Sequence, residues 1–208
     1  MGYDGIMPSK SDLINELLNR GIQNILPSKD ALKKELESGR KLTVYLGIDP
    51  TAPYLHLGHS IPLLVLKRFQ ALGHKTVLLV GDFTARIGDP SGKTAQRKPL
   101  SEKEVAQNAK TYKEQAGKIL EPKIDFNSKW LKKLTFGKIL ELASGFTVQQ
   151  MLARDMFQVR IKKDLPIGLH EFLYPIMQGY DSLALKTDAE VGGSDQLFNM
   201  LVGRDLVK

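Results

Sequence analysis

The feature that most constrains this chain is a double change of hydrophobic period between Leu42 and Val80. Leu42–Ile48 is a short β-rich apolar run and reads as a buried strand. His56–Leu72 follows with helical character. Pro62 falls near its start, where a missing N–H is tolerated, and Gly73 stops it. Thr76–Val80 is a second strand. Strand, helix and strand within about 40 residues form a βαβ unit, whose crossover is right-handed. The predicted architecture is α/β: a mostly parallel sheet with helices on both faces and a helical insertion between its two halves.

The remaining segments fit that plan. Residues 1–41 read as two short helices. One carries Leu13, Leu17 and Leu18 and stops at Gly21; the other is capped by Ser28, spans Ala31–Glu37 and closes at Gly39. An α/β domain is expected over 42–208, with the insertion at about 93–165. Ser101 and Glu104 form a capping box for one amphipathic helix that carries Val105, Tyr112, Ala116 and Ile119. Residues 135–165 read as helical with an interruption at Gly145, Gly168–Tyr180 as a helix with a kink at Pro175, and Ala189–Val191 as a short strand before a last helix.

Composition narrows the class. The 208 residues suit one domain or at most two, and 42% hydrophobic with 25% charged residues supports a buried core. The longest apolar run, near Ile61–Leu66, contains a proline and falls well short of a membrane helix of ~20 residues. Met1–Lys10 lacks a secretory hydrophobic core, and Ile6 stands where a myristoylation signal needs Ser or Thr. With no cysteine there is no disulfide, thiolate metal site or cysteine nucleophile, and a cytoplasmic location is expected. The net charge is +7, and the whole surplus lies in Lys93–Lys138, where 12 Lys/Arg face 5 Asp/Glu. That stretch is either a solvated helical surface or a face for polyanions such as nucleotide phosphates or RNA.

The strongest chemical signal is the turn from the first strand into the helix, Gly47-Ile48-Asp49-Pro50-Thr51 through His56-Leu57-Gly58-His59. Two histidines three apart share one side of the first helical turn. Gly58 leaves room for a close approach, and helix N–H groups favour an anion. No third ligand has the spacing for a metal site. Gly88-Asp89-Pro90-Ser91-Gly92-Lys93 resembles a phosphate loop, but only three residues separate its glycines where that loop needs four. Tyr174, Gln178 and Asp181 share one helix face. Asp195, in Gly192-Gly193-Ser194-Asp195-Gln196, is a helix cap or an acceptor for sugar hydroxyls.

Together and in this order these motifs resemble the catalytic domain of bacterial tyrosyl-tRNA synthetases, a class I family, from about Lys41 to Lys208. His56-Leu57-Gly58-His59 matches the His-x-Gly-His signature. Tyr45-x-Gly47-x-Asp49-Pro50-Thr51, the Asp89 segment and Tyr174-x-x-x-Gln178-x-x-Asp181 are more specific. The resemblance implies a Rossmann-like fold and tyrosine–tRNA ligase activity. It places Tyr45 and Asp181 on the phenolic hydroxyl of L-tyrosine, Asp89, Tyr174 and Gln178 on its ammonium, and Gln196 near its carboxylate. Gly47, Asp49, Gly58, Gly193 and Asp195 would serve ATP. Thr51, His56 and His59 would face its phosphates, with Lys93 and Arg97 on a loop over pyrophosphate. Asn127 and Trp130 match a recurrent pair with no role derivable from sequence.

The implied reaction is attack of the tyrosine carboxylate on the α-phosphorus of ATP, with Mg2+ carried by the phosphates, then transfer of the tyrosyl group to tRNA(Tyr). The implied assembly is a homodimer without membrane contact, with apolar helices around 146–180 as a possible interface. Rival readings are a tryptophanyl-tRNA synthetase, a small nucleotidyl transferase with a His-x-Gly-His site, and a non-catalytic binding module. The family's second signature, a Lys-Met-Ser-Lys-Ser-type loop, and the anticodon-reading and C-terminal RNA-binding regions are expected beyond Lys208, so the chain reads as a truncated catalytic domain. Glu190 stands where some members carry Gln.

Overall fold

A computed structural model describes residues 8–91 and 99–207. Helices α1 (Lys10–Asn19) and α2 (Lys29–Glu37) come first, α2 capped by Ser28 as the sequence predicts and α1 by Ser9, a cap not read from the sequence. Strand β1 (Thr43–Ile48) leads into α3 (Leu57–Ala71), β2 (Lys75–Val80) and the short α4 (Thr84–Ile87). Then come α5 (Glu102–Ala109), α6 (Tyr112–Gly117), β3 (Lys123–Phe126) and α7 (Ser128–Leu131). Helices α8 (Phe136–Ala143), α9 (Val148–Leu152), α10 (Asp155–Lys162) and α11 (Leu169–Leu185) precede β4 (Ala189–Val191), a 3-10 turn (Ser194–Gln196) and α12 (Leu197–Val207).

The described strands form one parallel sheet in the order β3-β2-β1-β4. Alternation along β1 explains its two-sided burial. Val44, Leu46 and Ile48 join Leu78 of β2, Leu63, Leu66 and Phe69 of α3, and Leu17 and Leu18 of α1 in the main core. Tyr45 faces the other way and packs with Val77, Leu79, Trp130 and Leu185. A third cluster joins Leu142, Met151 and Ile176 beneath α11. Each fully buried Leu or Val contributes about 1.5–3 kcal/mol over exposure, so this two-faced sheet organises the molecule.

Three expectations needed revision. Strand β3 lies in the segment expected to be helical. It is short and half charged (Lys123 and Asp125), so it carries no apolar run, and pairing with the β2 edge creates it. The single helix expected over Val105–Ile119 is two helices. Thr111 at the break gives its hydroxyl to the Pro53 carbonyl at 2.9 Å, away from its own helix. Helix α11 continues past Tyr180 to Leu185 and ends at Lys186 in a left-handed conformation (φ 51°). Its Gly179 meets Gly203 of α12: a Cβ on Gly179 would sit 3.0 Å from the Gly203 nitrogen, so the two backbones touch. No helix among the described residues is long and apolar enough to cross a membrane.

Candidate active site at the strand ends

Parallel strands all deliver their C-terminal ends to one edge, where open α/β sheets bind ligands. Here that edge receives Asp49 after β1, Thr84 and Asp89 after β2, Asn127 and Trp130 after β3, and Gln196 after β4. Helix α11 lies alongside with Tyr174, Gln178 and Asp181. Residues far apart in sequence become neighbours without any irregular feature.

The two histidines open α3. His56 is its N-cap: its Nδ1 accepts the Gly58 N–H at 3.1 Å, and His59 Nδ1 accepts the His56 N–H at 3.1 Å. The rings lie 3.9 Å apart, tilted by 37°. A ring nitrogen that accepts an N–H carries no proton, so each imidazole is left with Nε2 as its donor. Burial, and then the neighbouring His56, push the His59 pKa down, which favours that neutral donor. The first-turn N–H groups expected to face an anion are therefore partly used by the rings, and the imidazoles take over as donors. Gly58 has a steric reason: a Cβ there would lie 2.9 Å from His56 Cε1.

The loop before His56 is braced from outside. Asn108, Thr111, Tyr112 and Gln115 of the basic segment donate to the carbonyls of Pro50, Pro53 and Ala52, at 2.8–3.1 Å. Gln115 also accepts the Leu55 N–H at 2.7 Å. Thr51, at the outer turn of this loop, is exposed. Lys93 and Arg97 fall outside the described residues.

Asp49 ties the strand edge to α11. Its Oδ2 accepts the Tyr174 hydroxyl at 2.9 Å and its Oδ1 the Thr84 hydroxyl at 2.7 Å. Gly81 makes room, since a Cβ there would stand 2.0 Å from Asp49 Oδ1. Thr84 in turn accepts from Asn127 Nδ2 at 3.0 Å, and the same nitrogen donates to Asp181 Oδ2 at 3.1 Å. Trp130 Nε1 donates to Asp181 Oδ1 at 2.7 Å. Asn127 and Trp130 thus gain a role: both hold the Asp181 carboxyl.

Burial drives the Asp181 pKa well above the ordinary range, while the Trp130 and Asn127 hydrogen bonds pull against it. Two of about four lone-pair sites on this carboxyl are filled, which leaves acceptors for a ligand hydroxyl. Tyr45 and Glu190 are direct partners across β1 and β4. The Tyr45 hydroxyl pairs with Ser182 Oγ at 2.9 Å, and Asp181 lies close enough to raise its pKa along with burial and Glu190. Burial lifts Glu190 to about 7. Of these, sequence reading missed Ser182 and Thr84, whose small hydroxyls carry no spacing signal.

A second set faces Asp89, which is buried with its Oδ1 on the Ser91 N–H at 2.9 Å. Gln196 donates to Asp89 Oδ2 at 2.7 Å and to Asp195 at 3.0 Å. Asp195 and Gly193 are exposed beside it, and a Cβ on Gly193 would lie 2.4 Å from Asp195 Oδ1. Gly47 is also exposed, with its nearest neighbour at an ordinary 3.9 Å. Buried Arg154 went unnoticed in the sequence because it sits in an ordinary charged helix boundary. It donates to Ser91 Oγ at 2.8 Å and stacks 4.5 Å over Phe198, and burial lowers its pKa to about 10.

Residues 37–208 match the family described as tRNA synthetases class I (W and Y). The chain belongs to that family. Among its relatives, tyrosine–tRNA ligase of Carboxydothermus hydrogenoformans is 55% identical over 199 residues, covering 93% of this chain and 48% of that protein. The enzyme of the same name from Haemophilus influenzae is 54% identical over 194 residues, covering 92% and 48%. The chain thus spans about half the length of the curated relatives it matches. A C-terminally truncated mitochondrial tyrosyl-tRNA synthetase of Aspergillus nidulans shares the fold, with a TM-score of 0.79 at 28% identity over 94% of this chain and 60% of that one.

Proposed function

We propose that this chain is the catalytic part of a tyrosine–tRNA ligase, which activates L-tyrosine with ATP and passes it to tRNA(Tyr) in the cytoplasm. The observation that carries the reading is the bond between the Tyr174 hydroxyl and Asp49. It joins a helix face suited to an amino acid to a strand end suited to a nucleotide, so the two substrates would meet there. Names of the closely similar relatives support the choice of amino acid.

In this reading Asp181 and Tyr45 take the phenolic hydroxyl, Asp89, Tyr174 and Gln178 the ammonium, and Gln196 the carboxylate. Gly47, Asp49, Gly58, Gly193 and Asp195 serve the adenosine side. The tyrosine carboxylate is already ionised and needs no general base. The protein's part is alignment and stabilisation of charge growing on the phosphates. The Nε2–H groups of His56 and His59 suit that role, with Thr51, Lys93 and Arg97. Magnesium arrives with the triphosphate, held by phosphates and water. The basic stretch Lys93–Lys138 would receive the tRNA acceptor end, and exposed Val148, Ile161 and Leu169 fit a homodimer contact.

Titration calorimetry with tyrosine, phenylalanine and tryptophan tests the reading. Tyrosine is expected to bind best, because phenylalanine leaves the buried Asp181 acceptors unpaired. Asp181→Ala is expected to erode the preference for tyrosine over phenylalanine by at least tenfold, about 1.4 kcal/mol. An unaltered ratio removes Asp181 from the pocket, and preference for tryptophan overturns the choice of substrate.

A further inference from the structure

Asn199 of α12 sits at the centre of a relay that the roles above do not use. It is fully buried. Its Nδ2 donates to Gln178 Oε1 at 3.0 Å and to Gln196 Oε1 at 3.1 Å. Each glutamine passes the direction on, Gln178 Nε2 to Glu190 Oε1 at 3.0 Å and Gln196 Nε2 to Asp89 Oδ2 at 2.7 Å. Carboxyl groups close both ends. Gln196 donates to Asp89 and Asp195, so it turns its NH2 outward and its oxygen inward, and Gln178 takes the same orientation toward Glu190. The residue between two inward oxygens must then donate twice. A primary amide has two hydrogens on one nitrogen; a hydroxyl has one, and a carboxylate none.

The other half of the Asn199 side chain strengthens the case. Its Oδ1 is buried and has no hydrogen-bond partner. A buried acceptor without a donor is destabilising. The oxygen of this amide is thus a cost, and its two donors, which serve Gln178 and Gln196, are what the site gains from it.

We propose that Asn199 is a positioning residue for the amino-acid substrate, fixing the amide orientation of Gln178 and Gln196 together. This rests on the tyrosine reading above. With the amides reversed, oxygens would face Asp89 and Glu190 and push those carboxyls aside. Asp89 would then lose the place from which it meets an ammonium. One buried nitrogen thus locks both glutamines that would flank a zwitterion in the orientation their carboxyl partners favour.

The test compares the unaltered chain with Asn199→Leu, which keeps the branched shape and removes the donors, by tyrosine calorimetry and by thermal melting without ligand. The expected result for Asn199→Leu is a tyrosine Kd at least tenfold higher, with a melting temperature lower by up to about 12 °C because two glutamine oxygens lose their donor. Asn199→Ser keeps one donor and is expected to show an intermediate loss. An equal rise in Kd for Arg160→Met, whose hydrogen bonds reach neither glutamine, or failure of both Asn199 variants to fold, makes Asn199 a structural residue and overturns the proposal. So does a tyrosine Kd within threefold of the unaltered chain. If the unaltered chain binds no tyrosine, the substrate reading itself falls, and this proposal falls with it.

Discussion

Replacing Arg160 with methionine should unfold the molecule more easily than its distance from the sheet suggests. Arg160 is fully buried and Glu171 nearly so. The guanidinium donates to Glu171 Oε2 at 2.6 Å and Oε1 at 2.9 Å, and to the Pro166 carbonyl at 3.1 Å. Glu171 also accepts the Gly168 N–H at 2.8 Å, so this one pair fastens the turn that launches α11. Breaking a buried pair from one side leaves a stranded charge and costs about 3–5 kcal/mol. In a chain of this size each kcal/mol moves the melting point by about 2–4 °C, so a drop of about 6–20 °C is expected. Adding Glu171→Leu removes the stranded charge and should restore most of that loss. About 1–3 kcal/mol should persist, because Pro166 and Gly168 still lose their partners. Urea unfolding of the single and double variants provides both numbers. A single variant within about 1 kcal/mol of the parent, or a double variant no better than the single, would refute this reasoning.

Two further outcomes follow from the same interactions and from the Asp49 contact. Burial raises the Glu171 carboxyl, but the Arg160 and Gly168 hydrogen bonds outweigh it and leave the pKa below its ordinary 4.5. Stability from that depression is complete above the unfolded value and disappears as pH falls through the folded one. In Arg160→Met burial acts without that opponent, so acid should narrow the gap between variant and parent; a gap in unfolding free energy that is constant between about pH 7 and pH 4 would contradict this. Gly81→Ala places a methyl 2.0 Å from Asp49 Oδ1 and 2.4 Å from Thr84 Oγ1. It is expected to lower stability by about 1–3 kcal/mol and to weaken ATP binding in an equilibrium titration, and no change in either measurement would count against the Asp49–Thr84 clasp.

Much of the fold was legible because its signals are local. Period, caps and stops place β1, α3 and β2 to within a residue or two of their observed ends, since each element states its own boundaries in sequence. Strand β3 was not legible. Its four residues alternate in charge and become a strand only because β2 offers an unpaired edge, which is a property of the assembled sheet. The candidate site divides the same way. His56 and His59 announce themselves through spacing at a helix start. Thr84, Ser182 and Asn199 are small polar residues on ordinary helices, and nothing near them in sequence names the partners up to 137 positions away. Asn127 and Trp130 stood between these cases, recognisable by resemblance yet without a function until both were seen to hold Asp181.

The glycine contact between α11 and α12 gives the cleft unequal sides. With the backbones touching at Gly179 and Gly203, the helices that carry Gln178, Asp181 and Asn199 move as one plate. A substrate cannot wedge them apart. The Pro50–Leu55 turn, by contrast, hangs on side-chain hydrogen bonds that a few ångströms of motion would undo.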